Sequence, residues 1–97
     1  MSKGYFFVDI EITDLAAYEA YRTAVPDIIS AHGGQILVRG GDPQALDGTM
    51  PHRRRVIVEF DSPEAVKTFY YSDAYQAVLP IRLSASNGFV CLLTGME

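Results

Sequence analysis

Ninety-seven residues, 48% of them hydrophobic and 21% charged, specify one small globular domain over 1–97 and rule out a disordered chain. Twelve acidic against eight basic residues leave a net charge of −4, the wrong sign for a general nucleic-acid binder. The single cysteine excludes an internal disulfide and any cysteine-built metal site.

From Tyr5 to Ile12 the pattern alternates: Val8, Ile10 and Ile12 point one way, and Phe7, Asp9 and Glu11 the other. That predicts a strand. Thr13 or Asp14 can cap a helix. Leu15, Tyr18, Tyr21 or Arg22, Val25, Ile28 or Ile29, and His32 then recur at helical spacing. Pro26 predicts a kink near residues 22–26 or a restart of the helix, and Gly33-Gly34 its end. Gln35 to Arg39 reads as a second strand, broken by Gly40-Gly41-Asp42-Pro43. A loop over 42–52 carries the turn pair Asp47-Gly48. Arg53-Arg54-Arg55 leads into the third strand, Val56 to Phe60.

Ser62-Pro63-Glu64 is a helix start: the serine caps, proline fits the first position, and the carboxylate meets the helix dipole. Ala65, Val66, Phe69 and Tyr70 supply its apolar side. Ser72-Asp73 predicts a further short helix over Ala74–Leu79, ended by Pro80. A connector over Ile81–Asn87 and a last strand over Gly88–Thr94 complete the chain. Cys91 in that strand reads as a small core hydrophobe. The apolar run after Tyr5 is too short for a signal peptide. Nothing approaches the ~18 apolar residues of a membrane span. A cytoplasmic protein is expected, with neither membrane nor nucleic acid among its partners.

The order strand, helix, strand, strand, helix, strand fits an α+β, ferredoxin-like βαββαβ arrangement, a four-stranded antiparallel sheet with helices on one face. Parity assigns Val8, Ile10, Ile12, Ile36, Val38, Val56, Val58 and Phe60 to the helix side. The opposite side then holds Phe7, Asp9, Glu11, Gln35, Leu37, Arg39, Arg55, Ile57 and Glu59. Exposing Phe7, Leu37 and Ile57 together would leave an apolar patch that monomers avoid, so a homodimer through the sheet face is expected. A space mixing apolar surface with converging polar groups is where a small molecule binds.

His32 is a candidate general base or a histidine satisfied at a helix C-terminus. His52, before three arginines, reads as exposed. Two histidines twenty residues apart give no metal signature, and no glycine loop marks a nucleotide, so no metal or cofactor is expected. Arg54 and Arg55 point to opposite faces of their strand. Arg55 or Arg39 can fix a substrate carboxylate bidentately, or all three can make structural ion pairs. Tyr70, Tyr71, Ser72 and Tyr75 form the densest hydroxyl cluster, with Tyr71 and Tyr75 expected on one face. Arg82 in the connector can reach Asp73 or a pocket carboxylate.

Several segments together resemble the DUF1330 family of dimeric α+β barrel proteins. They are Gly4-Tyr5, Tyr18-x-x-Tyr21, Ala31-His32-Gly33-Gly34, Leu37-Val38-Arg39-Gly40-Gly41, Arg54 through Phe60, Phe69-Tyr70-Tyr71-Ser72-x-x-Tyr75-Gln76 and Leu79-Pro80-Ile81-Arg82. The resemblance covers nearly the whole chain and implies a homodimer whose two sheets face each other. It places the family's characteristic polar residues at His32, Arg39, Arg54, Tyr70, Ser72 and Arg82. Between Arg54 and Arg55 as the pocket residue, parity and resemblance disagree. The expected function is binding of a small aromatic or carboxylated metabolite, between the sheet and helices or between sheets. The alternatives are a cofactor-free isomerase or monooxygenase using His32 as base, a non-catalytic accessory dimer, and a haem binder with His32 as axial ligand.

Overall fold

Alternation in the first strand divides the molecule into two sides. The computed structural model describes residues 2–51 and 53–97, so the expectation for His52 lies outside the described residues. The elements are β1 (Gly4–Ile12), α1 (Leu15–Ala31), β2 (Gln35–Gly40), β3 (Arg54–Phe60), α2 (Pro63–Tyr70), α3 (Asp73–Ala85) and β4 (Ser86–Thr94). The strands form one antiparallel sheet in the order β2-β3-β1-β4. This is the ferredoxin-like arrangement, with the helices packed on one face. Phe6, Val8, Ile10, Val58 and Phe60 of the sheet meet Tyr18, Tyr21, Val25 and Ile29 of α1, with Val66, Phe69, Tyr75 and Ala85 of α2 and α3. Burying each large apolar side chain stabilises by ~1.5–3 kcal/mol, and this layer holds the fold together.

Each helix begins on a side-chain cap. Asp14 accepts from the Ala17 N–H at 3.1 Å, Ser62 from that of Ala65 at 3.1 Å, and Ser72 from that of Tyr75 at 3.2 Å. These bonds satisfy amides that have no partner within the helix. The Gly34 N–H donates back to the Ile29 carbonyl at 2.9 Å, which requires the left-handed turn at Gly33 (φ 76°) and ends α1.

Both internal prolines are absorbed. α1 runs unbroken through Pro26, without the expected restart. α3 runs through Pro80 to Ala85, so the connector over Ile81–Asn87 is in fact helix followed by the first residues of β4. Pro80 removes one helical hydrogen bond. The turn beyond it buries Arg82 and Ala85, and the Ala85 carbonyl accepts from the Thr13 and Asp14 amides at 2.8 and 3.2 Å. That packing and that tether outweigh the lost bond. Tyr71 and Tyr75 do not share a helix face: Tyr71 caps the end of α2 and is 71% exposed, whereas Tyr75 in α3 is fully buried.

A departure from parity lies in β2. Ile36 pairs with Val58, but Val38 pairs with Ile57, so Leu37 is a residue in excess. This β-bulge reverses every later side chain of the strand. Val38, expected under the helices, lies opposite Ile57 and is exposed. Arg39, expected on the open face, lies opposite Val56 and turns to the helix side. Cys91 pairs with Phe7 and is half-buried rather than in the core.

Candidate functional site

Register separates the three consecutive arginines. Arg55 pairs across the sheet with Asp9, on the open face, while Arg54 pairs with the fully buried Ile10, on the helix face. On the open face, Asp9 binds both neighbours: Arg53 Nη1 stands 3.5 Å from its Oδ1 and Arg55 Nη2 3.4 Å from its Oδ2. The Tyr5 hydroxyl donates to Glu59 at 3.1 Å, which raises the tyrosine pKa. Around these polar groups lie Phe7, packed at 6.3 Å on Phe89, and exposed Leu37, Val38 and Leu93.

The helix face is different. A half-open cavity of about 50 Å³ lies between α1 and strands β1, β2 and β3. Arg22, Arg39 and Arg54 line it together with Tyr18 and Tyr21; its remaining walls are aliphatic, aromatic or proline. Two features of β2 bring the arginines there. The bulge turns Arg39 inward, and Gly40 leaves room for Arg54: a Cβ on Gly40 would stand 2.6 Å from Arg54 Nη1, at a backbone φ of +70°. Burial raises the Tyr18 pKa, opposed in part by the charge of Arg54 and a hydrogen bond to it. Tyr21 is bonded to Tyr75 through their hydroxyls at 2.8 Å. Burial and the neighbouring Tyr75 push the Tyr21 pKa well above the usual tyrosine range.

Arg82 is 4% exposed and stands behind these tyrosines, close enough to act electrostatically on both Tyr18 and Tyr21. The Nε–H groups of Arg54 and Arg82 are both buried without a hydrogen-bond partner among the described residues. None of the described ion pairs reaches Arg39, Arg54 or Arg82. Arg22 alone of the lining arginines has a carboxylate among the described residues, Glu19 at 2.7 Å.

The expected site residues therefore separate. Arg39 and Arg54 come together on the cavity, with Arg82 and Tyr75 one layer behind. Arg55 is on the other side of the sheet. Tyr70 lines a separate groove between α2 and β4. The Ser72 hydroxyl donates to the Phe69 carbonyl at 2.7 Å and caps α3. His32 follows the last turn of α1, about 20 Å along the helix from Tyr18 at ~1.5 Å per residue. Its Nδ1 engages the Ile28 carbonyl at 2.8 Å and its ring packs edge-on to Phe69. It is not brought to the arginines, and Asp9, on the opposite face of the sheet, is not its partner. Sequence reasoning does not single out Tyr18, Tyr21 and Arg22 as wall residues. The signal that could have found them is two phenols on a buried helical stripe where aliphatic residues would pack as well.

A protein of unknown function from Rhodopseudomonas palustris shares this fold, with a TM-score of 0.79 at 17% identity over 99% of this chain and 84% of that one. A conserved protein from Methanosarcina mazei matches at a TM-score of 0.56 and 11% identity, covering 97% of this chain and 91% of that one. An ethyl tert-butyl ether d (EthD) family protein from Bacillus halodurans matches at 0.56 and 16%, covering 100% and 99%. At these identities the likeness is one of fold. No curated protein matches the chain. The family model for DUF1330, a domain of unknown function, matches residues 3–96, and the chain belongs to that family.

Proposed function

We propose that this protein binds a small carboxylate metabolite in the cavity beneath α1, and that it does so as a homodimer joined through the open sheet face. One observation carries the ligand reading. In a chain of net charge −4 with eight basic residues, three arginines line one cavity that no described carboxylate lines, and a fourth stands behind it. Arg82 is buried and Arg54 half-buried, while Arg22, which has Glu19, and Arg39 are exposed; holding the inner two without a counter-charge costs free energy, which a bound carboxylate lowers. The Arg39 and Arg54 guanidinium groups on this lining supply N–H donors of the kind that recognise a carboxylate bidentately. The Tyr18 hydroxyl, held protonated, adds a further donor.

Donors without a base favour binding over proton-transfer catalysis. The described lining contains neither imidazole nor carboxylate, and His32 lies at the other end of α1. The homodimer rests on the open face, where Phe7, Leu37, Val38, Phe89 and Leu93 surround Asp9 and the two arginines that share it. Such a surface gains from apolar burial.

The test is a thermal shift and calorimetric titration of the protein with sodium carboxylates against matched chloride. Binding should raise Tm in proportion to RT ln(1 + [L]/Kd), and Arg54→Met should abolish the effect. Absence of any shift with carboxylates at millimolar concentration, or an equal shift in Arg54→Met, overturns the reading.

A further inference from the structure

We infer that the second copy docks on the open face with its strands reversed, about a two-fold axis that crosses the strands at the level of Phe7 and Ile57, so that Glu59 of each copy faces Arg55 of the other; this rests on the homodimer reading above. The two central strands carry their charge antisymmetrically about that level, at which Phe7 and Ile57 are cross-strand partners. Along β3 and its flanks the open-face residues run Arg53, Arg55, Ile57, Glu59, Asp61; along β1 they run Lys3, Tyr5, Phe7, Asp9, Glu11. The flanking residues stay on this face, since Arg53 reaches Asp9 and Lys3 reaches Asp61. Reversing a copy of β3 over itself lays both arginines on acidic residues. Reversing β1 over itself lays Lys3 on Glu11, and the apolar centres cover each other.

Sheets packed face to face align their strands to within ~30°, in the reversed or the same direction. Two observations favour reversal. The first is an uneven sharing of charge. Two arginines share Asp9, whereas Glu59 has the Tyr5 hydroxyl and no cation among the described ion pairs. Unreversed stacking puts the two Glu59 carboxylates at one level, with no cation at that level. Reversal puts each of them against the end that holds two arginines. The second is that β4 is apolar where β2 is not. Phe89 and Leu93 are 49% and 50% exposed, and they lie two residues to either side of Cys91, which is level with Phe7. Reversal lays β4 on β4, so that Phe89 of one copy covers Leu93 of the other. Unreversed stacking lays β4 on β2, with these two side chains against Gly40 and Gln35.

The experiment is sedimentation equilibrium of the intact chain and of its Glu59→Arg and Arg55→Glu variants, alone and mixed, together with cross-linking through the native Cys91. Glu59→Arg opposes Arg55 at both ends of the reversed dimer and should weaken self-association about tenfold or more. Arg55→Glu should do the same. The equimolar mixture should associate more tightly than either variant alone, because each end of the mixed dimer again holds an opposite-charge pair. In the wild-type dimer Cys91 faces its counterpart across ~10 Å, the spacing of packed sheets, and a bismaleimide of that reach should link the copies. Unreversed, three strand spacings of ~4.8 Å add to the gap and the link should not form. The cross-link needs no substitution, so it decides the matter if either variant fails to fold. A wild-type chain that sediments as a monomer overturns the homodimer reading itself. A dimer whose affinity Glu59→Arg leaves unchanged, or whose Cys91 residues do not cross-link, overturns the reversed docking and leaves the homodimer standing.

Discussion

Arg54 and Arg55 are neighbours in the chain and occupy opposite sides of one sheet. Arg55, with Arg53, closes on Asp9 and forms an ion-paired cluster on the open face. Arg54, with Arg39 and Arg82 nearby, lies under the helices with no carboxylate in the described ion pairs and an unused Nε–H. The same side chain is structural on one side and unsatisfied on the other, and strand parity alone decides which. Covering a paired cation costs less than covering one with no partner.

The largest effect expected from disturbing this contrast is on association. Phe89→Asp places a charge on the open face beside Phe7, and should weaken self-association by roughly 100-fold or more, read by sedimentation velocity at micromolar protein. A wild-type chain that sediments as a monomer at that concentration removes the dimer from the proposal. Next is Asp9→Asn, which strips two arginines of their shared partner. The Asp9 side chain is 13% exposed and its partners 31% and 21%, so solvent screening reduces the loss to about 1–3 kcal/mol in urea unfolding.

Tyr21→Phe leaves the Tyr75 hydroxyl without its partner and should cost about 1 kcal/mol. It should also change the alkaline limb of stability. The Tyr21 pKa is raised in the folded state, so above ~10 the unfolded chain has released a proton that the folded chain still holds. Stability therefore falls as pH rises through that region, by up to ~1.4 kcal/mol per pH unit for each such tyrosine. Tyr21→Phe should flatten the slope, leaving the shares of Tyr18 and Tyr5; a slope unaffected by the substitution removes Tyr21 as its source. The smallest effect sharpens the comparison most. Arg54→Met removes a half-buried cation that has no carboxylate among the described ion pairs, and should leave ligand-free stability unchanged or raise it by up to about 1 kcal/mol. A loss above about 1 kcal/mol would mean that Arg54 holds the fold as the open-face cluster does.

Much of this architecture is legible in residue order. The caps at Asp14, Ser62 and Ser72 and the glycine stop after α1 each arise from local chemistry and occur where expected. The helix through Pro80 is not legible, because burial of Arg82 and Ala85 and the Ala85 tether are tertiary. The cavity is legible only in part. The opposite facing of Arg54 and Arg55 comes from a two-residue period. The inward turn of Arg39 does not, because a bulge breaks that period and nothing in Ile36-Leu37-Val38 announces it. The separation of His32 from the arginines is a matter of length along α1, and requires only that the helix be continuous.

The extra residue at Leu37 gives β2 a property that amino-acid content alone would miss. Shortening the strand by that one position would restore strict alternation and send Arg39 outward, among the groups around Asp9. The cavity would lose a cation and the opposite surface would gain one, with every arginine still in the sequence. Among chains of this architecture, counting residues between the glycine turn and the first basic side chain of β2 should therefore sort members with a cation on the helix side from the rest more reliably than asking whether an arginine is there.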